Sequence, residues 1–213
     1  MKELLLLRHA KSSWATPGMA DFDRPLNKRG RRATALLAGY LEAEGLRPAL
    51  VLCSDSKRTR ETLGLIHEAL GSRVAIHLEP ELYLADPSTL LDRLRKVAGE
   101  VPSVMVIAHN PGLQEFALEL AEAAGSAGAA VAARIETKFP TAALARFRLK
   151  IDRWRDLALD GPRGTIKVVG YTIPADLEKP AQTISRRAGP RRNAPRPPAA
   201  PSDRRPRRPR SSR

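Results

Sequence analysis

An α/β domain of three layers, with helices on both faces of a mostly parallel sheet, is predicted by two features of this 213-residue chain. Short apolar runs alternate with helix-period segments over the first 125 residues. The first of those runs, residues 4–7, is leucine throughout, as in a strand covered on both faces.

The elements follow in order. The leucines at 4–7 make the first strand, and a loop rich in small and polar residues spans 10–28. Ala33, Leu36, Leu37, Tyr40 and Leu41 then recur at helical spacing, and Gly45 marks the stop. Residues 49–53 are a second strand. Residues 59–70 are a helix with Leu63, Ile66 and Leu70 inward and Gly71 as its cap. Residues 74–77 form a third strand, and Leu90, Leu91 and Leu94 belong to another helix. Residues 104–108 are the clearest buried strand. Asn110 and Pro111 read as N-cap and first helical residue of a helix whose stripe is Leu113, Phe116, Ala117 and Leu120. Strands over 141–149 and 165–173 complete the sheet at an antiparallel edge, while 126–140 has no clear period.

The domain is expected to end at residue 178. Beyond it, residues 179–213 are dominated by Arg, Pro, Ser and Ala, a composition that forms no core and predicts a disordered tail. The net charge is +14, but residues 186–213 hold eleven Arg against one Asp and so carry +10 of it. Such a tail favours weak, nonspecific contact with nucleic acid or another anionic surface, although no aromatic residue is interleaved to stack on bases. A single cysteine, Cys53, is incompatible with an internal disulfide framework or a multi-cysteine zinc site, and a reducing, cytoplasmic setting fits. The leucine run after Met1-Lys2-Glu3 is too short to span a membrane. No His-Glu-x-x-His pattern calls for a metal, and no cofactor is expected.

In parallel sheets, ligands bind beyond the C-terminal ends of the strands. That rule selects Arg8-His9 after strand one, residues 54–58 after strand two, and His109 after residues 104–108. Neutral imidazole is a good nucleophile toward phosphorus and can carry a covalent intermediate. The guanidinium of Arg8 is a planar fork suited to phosphate oxygens. Arg58 stands at a helix start, where free amides and the helix dipole favour anions. Lys57, Arg60 and Glu61 read as solvated helix charges, and His67 and His77 as structural or exposed. Ser54 lacks the Gly-x-Ser-x-Gly elbow of a nucleophile.

Together these residues resemble the histidine phosphatase superfamily, which has the phosphoglycerate-mutase-like fold, and specifically its SixA-type phosphohistidine phosphatase branch. Arg8-His9-Ala10 is similar to the "RHG" signature, with Ala10 in place of the usual glycine. The run from Asp21 through Arg24-Pro25-Leu26 to Gly30 resembles the "RPL…G" segment. Ser54, Arg58 and Thr62 are similar to the "S…R…T" segment, and His109-Asn110-Pro111-Gly112 to the second-histidine segment. Residues 138–142 resemble a late strand entry. The resemblance covers roughly residues 1–178, in order.

It implies that His9 becomes phosphorylated, that Arg8, Arg58 and His109 bind the phosphoryl oxygens, and that Arg24 joins them from the loop. It implies further that water then releases phosphate. Many phosphomonoesterases of the superfamily use a carboxylate after the third strand as general acid, and Glu81 lies near that place. A phosphohistidine substrate would need less help from it. The expected substrate is therefore a phosphorylated protein or a small phosphorylated molecule. The competing readings are a general phosphomonoesterase of the same fold, a phosphoglycerate mutase, which the short core disfavours, and an idle binding module whose basic tail holds nucleic acid.

Overall fold

The computed structural model describes residues 1–178. The expected tail domain, 179–213, and the contacts assigned to 186–213 lie outside them. Six strands form one sheet in the order β3-β2-β4-β1-β5-β6. They are β1 (Lys2–Arg8), β2 (Leu50–Ser54), β3 (Ala75–Glu79), β4 (Ser103–Ala108), β5 (Leu144–Leu149) and β6 (Ile166–Thr172). The first four are parallel, and β5 runs antiparallel to both β1 and β6. The predicted antiparallel edge is therefore present, with β6 as its outer strand.

The three layers follow from the period-two alternation of the strands. Leu5, Leu7, Val51, Cys53, Met105 and Ile107 face one way, against Leu37 and Leu41 of α1 (Lys28–Ala43) and Leu63 and Ile66 of α2 (Lys57–Leu70). Leu4, Leu6, Leu52, Val104 and Val106 face the other way. There they meet Leu90 and Leu94 of α3 (Pro87–Arg95), Leu113, Phe116 and Leu120 of α4 (Gly112–Ala123), and Trp154. Each leucine of β1 is at most 1% exposed, and each such burial stabilises the fold by about 1.5–3 kcal/mol. The chain moves outward from β1 to β2 to β3, then returns to β4. Right-handed crossovers place α1 and α2 on one face and the returning α3 on the other.

Three expectations shift. The segment 126–140 is helical in part, as α5 (Ala129–Thr137), whose alanines bury little and so give no strong period; a four-residue helix, α6 (Pro174–Leu177), ends the described chain. The strand expected from residue 141 begins at Leu144, because a turn precedes it in which Ala142 has φ +62°. Asn110 does not cap α4. Pro111 is the N-cap, while the Asn110 amide donates to Gln114 Oε1 (2.7 Å) and to the Phe139 carbonyl (3.1 Å).

Candidate active site

The three central strands β2, β4 and β1 are neighbours, so their C-terminal ends open side by side. Pairing of Arg8 with Ala108 continues into a bond from the His9 amide to the Ala108 carbonyl (3.2 Å). His9 and His109 therefore leave adjacent strands together, with ring centroids 5.0 Å apart. The turn before β5 clasps the same strand end: the Ala142 amide lies 3.1 Å from the carbonyls of Arg8 and His9. Ala10, the departure from glycine, is fully buried against Leu26 and Ala142, and its amide donates to Thr62 Oγ1 (3.0 Å).

Hydrogen bonds fix the protonation of both rings. His9 Nδ1 donates to the Ala10 carbonyl (2.8 Å), which leaves the lone pair on Nε2. Arg58 Nε donates to that Nε2 at 3.3 Å. Arg58 Nη2 donates to His109 Nδ1 (3.2 Å), so His109 carries its proton on Nε2 and gives it to Ser54 Oγ (2.9 Å). Burial, aided by the nearby cations, lowers the pKa of His9 to about 3. Burial, with His9 and Arg58 beside it, lowers that of His109 to about 2. Both rings are neutral at physiological pH, and His9 presents an unprotonated Nε2.

Arg58 enters from the first turn of α2 and is 3% exposed. Its remaining donors reach Asp21: Nη1 to the carbonyl (2.5 Å) and Nη2 to Oδ2 (2.9 Å). Arg8 Nη1 donates to the Phe139 carbonyl (2.8 Å), while its Nε is buried with no partner among the described residues. Burial and the facing Arg58 lower the pKa of Arg8.

These residues line a cleft of about 350 Å³ that includes Arg8, His9, Asp21, Arg24, Arg58 and His109. Arg24 is thus at the cleft, but its donors are engaged within the loop. It bonds the Ser13 carbonyl (2.9 Å), Asp21 Oδ1 (2.6 Å) and Ser12 Oγ (2.6 Å), and Trp14 stacks on it at 3.2 Å. Glu81 is exposed on a short 3-10 turn and is not among the residues lining the cleft.

One cleft residue, Asp21, and a neighbour behind it, Tyr83, escape a strand-end rule. Asp21 accepts from Arg24, Arg58 and Tyr83 Oη (2.7 Å), and these partners outweigh its desolvation and lower its pKa to about 2. Tyr83 stands edge-on to His109 at 5.3 Å. Asp21 lies inside the Asp21–Gly30 motif, which was its one available signal. Glu61, expected to be a solvated charge, instead accepts the Leu26 amide (2.8 Å) and so pins the loop to α2. Among the described residues no group of three His, Cys, Asp or Glu side chains is arranged to hold a metal, and no helix is long and apolar enough to cross a membrane.

The sequence profile described as histidine phosphatase superfamily (branch 1) matches residues 4–135. An uncharacterized protein of Mycobacterium tuberculosis is 36% identical over 168 residues, covering 79% of this chain and 99% of that one. A solved structure from Agrobacterium tumefaciens, described as a candidate phosphohistidine phosphatase SixA, superposes with a TM-score of 0.65 at 29% identity, covering 81% of this chain and 98% of that one. A second so described, from Nakamurella, gives a TM-score of 0.66 at 27% identity over 81% and 96%.

Proposed function

The chain belongs to the histidine phosphatase superfamily, in its SixA-type branch, and is a phosphatase; from that premise we propose that it hydrolyses phosphohistidine through a covalent intermediate on His9. The observation that carries this reading is the neutral His9 ring, anchored through Nδ1 with Nε2 unprotonated beside Arg58, and with Arg8 and His109 lining the same cleft.

His9 Nε2 attacks phosphorus as the bond from phosphorus to the leaving imidazole nitrogen breaks. The leaving imidazole departs neutral, with its other nitrogen protonated. Arg8, Arg58 and His109 hold the three phosphoryl oxygens, and convergent donors of this kind stabilise the spread negative charge of the transition state. The buried, unpartnered Nε of Arg8 has hydrogen-bonding capacity to give. An incoming dianion draws Arg58 Nη2 away from His109 Nδ1 and offsets the field of the guanidiniums, which lets Nδ1 take a proton from solvent and donate it to a phosphoryl oxygen. Water then attacks the phosphorus on His9, the P–N bond breaks, and inorganic phosphate leaves with His9 restored.

The leaving group favours phosphohistidine over an alkyl phosphoester. An alkoxide needs a proton donor, and Asp21, the carboxylate that lines the cleft, is held ionised by Arg24 and Arg58. Imidazole leaves without one. The intact set of Arg8, His9, Arg58 and His109 likewise argues against an idle binding module.

Mass spectrometry after brief exposure to phosphohistidine-bearing protein tests the reading. One added phosphoryl group on His9 is expected, lost in His9→Ala together with turnover. Turnover that survives His9→Ala overturns it, and faster turnover of simple phosphomonoesters than of phosphohistidine replaces it with the general phosphomonoesterase reading.

A further inference from the structure

A second cavity, of about 570 Å³, adjoins the catalytic cleft and shares Lys11 and Thr141 with it. Its charge is one-sided. Lys11, Lys28, Arg29, Arg32 and Lys138 line it against one carboxylate, Glu178, and none of the five cations forms an ion pair among the described residues. Three of them occupy the first turn and a half of α1, where the helix dipole disfavours positive charge and no acidic residue offsets it. All five are exposed, so they supply field and reach rather than a shaped cage. Pro140, Ile173 and Pro174 add apolar lining to the same cavity.

The floor between cleft and groove is rigid. The Lys11 carbonyl accepts the Asn27 amide (3.0 Å) and lies where a Cβ on Gly30 would be, 2.1 Å away, so α1 and the His9 loop are locked together. The cleft also has an apolar lip. Trp14 is 76% exposed yet fixed by its stack on Arg24, and Leu84 is 51% exposed and held at φ +52°, unfavourable for a leucine. A pre-ordered aromatic beside a charged groove is the anatomy of a protein-binding face.

We propose that this composite face docks an acidic segment of the polypeptide that carries the phosphoryl group: carboxylates enter the groove of Lys28, Arg29 and Arg32, and an apolar side chain rests on Trp14 and Leu84. This rests on the phosphohistidine reading and names its carrier. The open groove with its exposed cations and apolar lining fits a peptide better than a small polyanion, which calls for buried, converging polar groups.

The test uses the full chain and the triple variant Lys28→Glu/Arg29→Glu/Arg32→Glu, which keeps residues 179–213 unchanged. Reversal to acidic residues suits a helix start, so folding is retained. Three substrates are compared: a phosphohistidine peptide flanked by glutamates, the same peptide flanked by glutamines, and phosphoramidate. For the wild type, kcat/KM on the glutamate peptide should exceed that on the glutamine peptide by about tenfold at low salt, and the preference should vanish in the triple variant and in high salt. Phosphoramidate turnover should be the same in both proteins.

Equal wild-type rates on the two peptides, or a preference that survives the reversal, overturn the proposal. So does a reversal that weakens inhibition by pyrophosphate but leaves peptide preference intact, since the groove then serves a small polyanion. Failure of the wild type on all three substrates removes the phosphohistidine reading instead. In that event calorimetry with the unphosphorylated glutamate peptide decides: binding lost on reversal sustains the docking face, and no binding ends it.

Discussion

Asp21 and Arg58 make a two-point contact, with the guanidinium bonded to both the carboxylate (2.9 Å) and the backbone carbonyl (2.5 Å) of the aspartate. A phosphoryl group that uses Arg58 must compete with this carboxylate. Asp21 is 40% exposed at its side chain, so the pair is screened on one side, and a contact of this kind is worth roughly 1 kcal/mol. Asp21→Asn should therefore tighten inorganic phosphate binding by about fivefold. Calorimetric titration of phosphate into the two proteins checks this.

Gly30 shows how a distant backbone position sets the loop that follows His9. A Cβ there would stand 2.1 Å from the Lys11 carbonyl, a backbone atom that has no rotamer to escape into. Gly30→Ala should cost about 1–3 kcal/mol and lower Tm by roughly 3–10 °C. Lys11 lies two residues past His9, so displacement of the loop should also lower kcat/KM by about tenfold or more. Thermal melts and initial rates on one preparation measure both effects.

Residues whose role depends on chain position were legible in the sequence; those whose role depends on a partner were not. His9, Arg58 and His109 stand at strand ends or the helix turn after one, and that placement can be read from apolar runs. Arg24 was recognisable as part of a motif, but Ser12, Ser13, Asp21 and Trp14 take up its guanidinium, a fact of loop geometry with no periodic trace. Asp21 and Tyr83 meet across 62 residues, and no local pattern signals such an encounter. The boundary of β5 moved because the Ala142 turn bonds to the end of β1, a tertiary constraint that overrides the strand propensity of the segment.

The exposed position of Glu81 bears on which substrates need it. Glu81 lies outside the cleft lining, and imidazole needs no strong acid to leave. Glu81→Gln should leave kcat on phosphohistidine within about twofold of wild type, and kcat on an aryl phosphate likewise. A loss confined to the aryl phosphate would return the general-acid role to Glu81 through movement of its turn.

The two buried histidines make stability depend on pH in a defined direction. Their folded pKa values, about 3 for His9 and about 2 for His109, lie below the ordinary value of 6.5. Between these limits the unfolded chain binds more protons than the native one, so stability rises with pH and is lost as pH falls. The contribution is fully present above pH 6.5 and declines from there toward pH 3. Asp21, held at about 2 against 3.8, adds a loss of the same sign only below pH 3.8. Denaturant melts of the wild type should therefore weaken from pH 6.5 to pH 4, before the carboxylate matters. His9→Asn removes one of the two titrations, and the slope of stability against pH in that window should become shallower. An unchanged slope would mean that His9 is protonated in the native state, which would also remove the unprotonated Nε2 that the proposed mechanism requires.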